Sequence, residues 1–224
     1  MVRVKVCGIK EIADALVATR AGADFIGLVF ASSRRQITVE KAREIVTALR
    51  GGGFATEVVG VFVNRPASEI NKIARDVPLD RVQLSGDESW EYCRDIEKPV
   101  IKTVHISDAM AGSRLVELID EGLKILSHRE TVVILDTLQK GVYGGSGQTF
   151  NWELVKEAAQ HYYVVLAGGL TPENVVQAID TVHPWGVDAS SGLETNGIKD
   201  IEKIEKFVQA VRGMECERNL HVSF

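Results

Sequence analysis

Short apolar runs rich in β-branched residues recur along the whole chain, each followed by a longer amphipathic stretch. The runs are Val2–Cys7, Phe25–Phe30, Val58–Val63, Arg81–Leu84, Val100–Val104, Val132–Asp136, Val164–Ala167 and Gly186–Ala189. They are apolar at nearly every position, the pattern of strands buried on both faces of a parallel sheet. Between them, Glu11–Arg20, Val39–Leu49, Ala67–Arg75, Leu115–Ile125, Trp152–His161, Pro172–Thr181 and Lys199–Arg212 carry apolar residues at helical spacing. Thr38 before Val39-Glu40 reads as a helix start, as does Thr171-Pro172-Glu173 with proline in the first turn. Gly51-Gly52-Gly53 reads as a helix stop and loop.

Eight such units in 224 residues give about 28 residues per unit, close to the roughly 30 of a (β/α)8 repeat. The periodicity predicts an α/β chain folded as a single-domain (β/α)8 TIM barrel. An open doubly wound sheet uses the same units, but eight with closely matched spacing favour closure. No Pro-rich, Ser-rich or charge-block linker interrupts the rhythm. The rhythm spans residues 1–212, the expected catalytic domain, and leaves 213–224 as a C-terminal tail.

Composition narrows the partners. Hydrophobic and charged contents of 45% and 25% are ordinary for a soluble domain. A formal charge of −5 and no long Lys/Arg cluster argue against nucleic acid. Cys7, Cys93 and Cys216 form neither a disulfide framework nor a metal-ligand spacing, which fits a reducing compartment. No apolar run approaches the roughly 20 residues needed to cross a bilayer. The N-terminus enters a strand with no signal-peptide core. A soluble cytoplasmic protein is expected, as monomer or homodimer, with no membrane partner.

In a barrel of this kind chemistry gathers at the C-terminal strand ends. Strand 1 ends at Cys7-Gly8, where the cysteine is either core filling or a tuned thiol. Strand 2 runs into "ASSRRQIT", and strand 6 ends at Asp136-Thr137 before "LQKGVYGGSGQTFNW". Strand 7 ends in Gly168-Gly169-Leu170 and strand 8 in Ser190-Ser191-Gly192. Barrels often hold a phosphate in these last two loops, where glycines admit close approach and N–H groups favour the dianion. Gly168, Gly169, Ser190, Ser191 and Gly192 are therefore candidate substrate-binding residues; tight turns are the bland alternative. Gly144–Phe150, "GGSGQTF", lacks the geometry of a dinucleotide fingerprint; it reads as a loop that folds over the site, or as a solvated one.

The ordered set "VKVCGIKE", "GADFIGLVF", "SRRQIT", "VGVFVN", "VQLSGDE", "ILDT", "GGSGQTFNW", "LAGGLTPENV" and "GVDASSGLETNGIKD" resembles phosphoribosylanthranilate isomerases over roughly residues 2 to 212. The resemblance implies an Amadori rearrangement of N-(5-phosphoribosyl)anthranilate to 1-(2-carboxyphenylamino)-1-deoxyribulose 5-phosphate in tryptophan biosynthesis. No metal or organic cofactor is implied, because the iminium intermediate is the electron sink. By position, Cys7 matches the family's general base and Asp136 its general acid. Their ordinary ionisation opposes these roles, since a free thiol near 8.5 is mostly protonated and an Asp near 3.9 mostly ionised at neutral pH.

The family pattern after strand 2 maps onto Ser33, Arg35 and Ile37, which makes Arg35 the clamp for the anthranilate carboxylate. Arg34 stays open because this stretch is one residue shorter than usual. Where the family commonly has Gln-Leu-His-Gly after strand 4, this chain has Gln83-Leu84-Ser85-Gly86. Of the five histidines, only His105 is placed to look into the mouth. Competing readings are another phosphosugar isomerase or synthase barrel, and a non-catalytic phosphoribosyl-ligand binder; intact Cys7 and Asp136 weigh against the latter.

Overall fold

The computed structural model describes residues 1–107, 110–126, 131–137 and 152–221. The apolar runs form β1 (Arg3–Cys7), β2 (Phe25–Val29), β3 (Glu57–Phe62), β4 (Arg81–Leu84), β5 (Val100–Ile106), β6 (Val132–Thr137), β7 (Val164–Leu166) and β8 (Gly186–Ala189). They close into a barrel in sequence order, every pairing parallel and β1 paired to β8. The closure expected from the matched spacing is thus observed.

Outside the barrel lie α1 (Ile12–Ala21), α2 (Val39–Gly51), α3 (Ala67–Asp76), α4 (Gly112–Ile125), α5 (Lys156–His161), α6 (Val175–Val182) and α7 (Ile201–His221). The expected start at Thr38 is real: its hydroxyl accepts from the Lys41 N–H at 3.2 Å. The start expected at Thr171-Pro172 is not a helix start. Asn174 accepts the Thr171 N–H at 2.8 Å and donates to the Gly169 carbonyl at 2.9 Å, so this segment is a turn and α6 begins at Val175. Between β4 and β5 there is one 3-10 turn, Glu91–Asp95, and no α-helix. The last helix continues to His221, nine residues beyond the domain boundary read at 212.

Period-two alternation sorts the strand residues into two shells. Val4, Val6, Ile26, Leu28, Val58, Phe62, Val82 and Leu84 face outward into the core shared with the helices. Phe25, Val59, Ile101, Ile134 and Val165 fill the lower barrel. Above them Cys7, Val29 and Val61 form a small apolar floor at the mouth. Being buried on both faces is what makes these strands read as unbroken apolar runs.

Candidate active site

A cavity of about 690 Å³ opens at the C-terminal mouth. Strand register delivers its walls. Cys7 ends β1 and Asp136 is the penultimate residue of β6, while Arg34 and Arg35 come from the loop after β2. Gly168 and Gly169 follow β7, Ser190 and Ser191 follow β8, and all of these residues line the same cavity. Gly168 and Gly169 hold φ of 89° and 65°, a left-handed pair that glycine adopts without strain. Gly192 does not line the cavity. A side chain there would meet the Leu170 carbonyl oxygen at 1.9 Å, so this glycine lets the β8 loop pack onto the β7 loop.

Cys7 sits over the barrel interior with Lys5 two residues earlier on the same face. Lys5 Nζ donates to Asp188 Oδ2 at 2.9 Å, and both side chains are buried, at 2% and 9% exposure. Burial pushes the Cys7 thiol above its usual range; the Lys5 and Lys199 ammonium groups pull it down and Asp188 pushes it up. Burial therefore favours the thiol over the thiolate as the resting form.

Arg35 lies against Gly8 and donates to Glu194 through Nε at 2.5 Å and Nη2 at 3.1 Å. Arg34 reaches the same carboxylate at 2.9 Å but leaves 58% of its side chain in solvent, against 12% for Arg35. Lys199 Nζ completes the cluster at 3.1 Å from Glu194 and donates to the Ser190 carbonyl at 2.8 Å. One buried carboxylate thus gathers three cations beside the mouth. The paired cations hold Glu194 below the usual carboxylate range, although its burial alone pushes the other way. Arg35 still offers Nη1 and part of Nη2 to a planar anion, since the guanidinium has five donors.

The serine at the family's usual histidine position is tied into a polar wall. Ser85 Oγ accepts from Gln83 Nε2 at 2.9 Å and shares a hydrogen bond with Thr103 Oγ1 at 3.0 Å. His105 belongs to β5, its ring Nε2 lies 3.1 Å from the Ser85 carbonyl, and it does not line the cavity. The segment Gly144–Phe150 lies outside the described residues. Among the described residues, no group of three or more His, Cys, Asp or Glu could hold a metal ion.

Lys5, Asp188 and Glu194 are additions to the expected site. Lys5 carries a sequence signal, a charge two residues before Cys7 in a strand that is apolar apart from it and Arg3 at its start. Glu194 carries another: Asn196-Gly197, with φ of 53° and 79°, is a primed hairpin turn. It joins β9 (Glu194–Thr195) to β10 (Ile198–Lys199) and brings Glu194 and Lys199 side by side.

A closed (β/α)8 barrel with a thiol, a carboxylate and an arginine around one mouth, beside glycine and serine loops after β7 and β8, defines a barrel enzyme for a small anionic substrate. The family model for N-(5'-phosphoribosyl)anthranilate isomerase matches residues 4–210, and the chain belongs to that family. The isomerase of Dehalococcoides mccartyi is 47% identical over 218 residues, covering 97% of this chain and 99% of that one. The crystal structure of phosphoribosyl anthranilate isomerase from Thermotoga maritima superposes with a TM-score of 0.81 at 40% identity, covering 95% of this chain and all of that one (100%). A further isomerase structure, in complex with reduced 1-(o-carboxyphenylamino)-1-deoxyribulose 5-phosphate, matches at a TM-score of 0.78 and 39% identity, with 95% and 100% coverage.

Proposed function

We propose that this chain isomerises N-(5'-phosphoribosyl)anthranilate in tryptophan biosynthesis, with Asp136 as general acid and Cys7 as general base. The observation that carries the assignment is that both side chains line one cavity together with the glycine and serine loops and Arg35. Asp136 gives its proton to the furanose ring oxygen; the C1–O bond breaks and an iminium forms between C1 and the anthranilate nitrogen. Cys7, having first lost its thiol proton to solvent, takes the C2 proton as the thiolate, the electron pair of that bond becomes the C1–C2 double bond, and the iminium is neutralised. The resulting enolamine tautomerises to the ketone.

The substrate's two anions are assigned to two different sets of donors at the mouth. The backbone N–H groups of Gly168, Gly169, Ser190 and Ser191 suit the phosphate, because glycines with positive φ let an oxyanion approach the main chain. Arg35 receives the anthranilate carboxylate on the guanidinium edge that Glu194 leaves open. Ser85, held by Gln83 and Thr103, supplies a fixed hydroxyl on the wall where the family has a ring. Among the described residues no helix is long and apolar enough to cross a membrane. Cys7 and Cys93 are buried thiols rather than disulfide partners, which suits a reducing cytoplasm, where we propose the enzyme works.

The test is the fluorescence decay of phosphoribosylanthranilate generated in situ, measured for the wild type, Cys7→Ala and Asp136→Asn. Each substitution is expected to lower kcat about 100- to 10,000-fold, the usual weight of a positioned acid or base. Near-wild-type turnover in either variant removes that residue from its role.

A further inference from the structure

A buried ion pair lies directly below the proposed base. Lys5 and Asp188 are register partners on β1 and β8, joined at 2.9 Å inside the barrel. Such pairs are poor stabilisers, because removing two charges from water costs about what their attraction returns. This one is also incompletely satisfied: Asp188 Oδ1 is buried with no hydrogen-bond partner among the described residues. A pair kept for stability would bury both oxygens against donors. Its position points elsewhere. Lys5 and Cys7 are two residues apart on one strand and therefore point to the same face. The Cys7 sulfur is pressed into the small space over Gly27, where a side chain would meet Sγ at 2.7 Å.

We propose that Lys5, anchored by Asp188, is a positioning residue that holds the Cys7 sulfur as a thiolate when the C2 proton is taken. The inference rests on Cys7 being the general base. Asp188 keeps the buried ammonium charged, since an unpaired buried lysine would shed its proton. The ammonium then faces a sulfur that must carry negative charge before proton transfer and none after it. When the C2–H bond breaks, the proton goes to Sγ, the electron pair goes to the C1–C2 bond, and Lys5 keeps its protons throughout. The charged groups acting on the sulfur are Lys5 on β1, Asp188 on β8 and Lys199 on β10. Lys199 is held by Glu194 and Ser190 on the loop side, so of these two cations Lys5 is the one on the barrel side of the sulfur.

The experiment follows kcat/KM and KM against pH, together with iodoacetamide alkylation of Cys7 read at its own peptide by mass spectrometry. A nearby charge moves a pKa by about 1–3 pH units. Lys5→Met should therefore displace the alkaline rise of both profiles upward by about one pH unit or more. It should lower kcat/KM at pH 7 about tenfold, leave KM within about threefold and recover activity at high pH. Lys5→Arg should stay near the wild-type profile. Lys5→Met/Asp188→Asn strands no charge and provides the same reading if the single variant does not fold. Profiles unmoved in a folded Lys5→Met or double variant overturn the proposal, as does a loss that alkaline pH does not recover. Full activity in Cys7→Ala would instead overturn the base assignment, while the alkylation profile still reports what Lys5 does to the thiol.

Discussion

As the proposed base Cys7 must lose a proton to act, and its burial works against that loss. The sign of the consequence is fixed. A base whose pKa is raised is mostly protonated at neutral pH, and its active fraction grows about tenfold per pH unit until the pKa is passed. The kcat/KM of the wild type should therefore climb between pH 6.5 and 8.5 and continue beyond the ordinary thiol value of about 8.5. A profile flat over that interval would contradict the resting thiol. The candidates Cys7 and Asp136 were legible as mouth-lining residues because they stand at barrel strand ends, where side chains reach the cavity. The role of Lys5 was hidden for a physical reason: a charge inside a buried strand marks the need for a partner without saying which residue it is. Its partner Asp188 is 183 residues away. Arg35 was legible as a candidate clamp, but its bidentate grip on Glu194 depends on a contact across 159 residues.

The hairpin of β9 and β10 is the element that organises the rim. Glu194 from β9 fixes Arg35, and Lys199 from β10 reaches both Glu194 and the Ser190 carbonyl. Glu194→Gln should raise KM for phosphoribosylanthranilate about tenfold or more by releasing Arg35. It should also destabilise the fold by about 3 kcal/mol, the scale for breaking a buried ion pair; steady-state kinetics and urea unfolding read the two effects. Because the Glu194 pKa is depressed in the folded protein, its stabilisation is present above the ordinary value of about 4.3 and lost as pH falls through the folded one. The Tm gap between wild type and Glu194→Gln should accordingly narrow from pH 6 to pH 3. At this scale the sequence was legible in its strands and most helices, where long periodic patterns dominate. The short elements were not. Asn196-Gly197 is a strong hairpin signal, but strands of two residues each have no period to read. The Thr171-Pro172 signal failed because Asn174 satisfies the Thr171 N–H as a turn.

The whole molecule is held closed where its two ends meet. Arg212 in α7 donates to the Val2 carbonyl at 2.7 Å, to the Gly22 carbonyl at 2.7 Å and to Asp24 Oδ2 at 2.6 Å, tying the last helix to the first strand and helix. Arg212→Ala should lower unfolding stability by about 2–3 kcal/mol, as expected for charge-assisted bonds left unmade, with a matching drop in the urea midpoint. We propose residues 1–212 as the catalytic unit, so a chain ending after Met214 should keep kcat/KM within about twofold; a larger loss would place function in the removed segment. Barrel closure itself was legible in the eight matched units, whereas the latch was not, because nothing local marks which arginine will cross the seam. Closure also sets a clock. During synthesis Cys7 is made first and Asp188 near the end, 181 positions later by their numbers, an interval of about 10–40 s at ordinary ribosome speeds. Through that interval Lys5 has no Asp188 to pair with, and a chain that stops before β8 carries Cys7 and Lys5 without the carboxylate that joins them in the closed barrel.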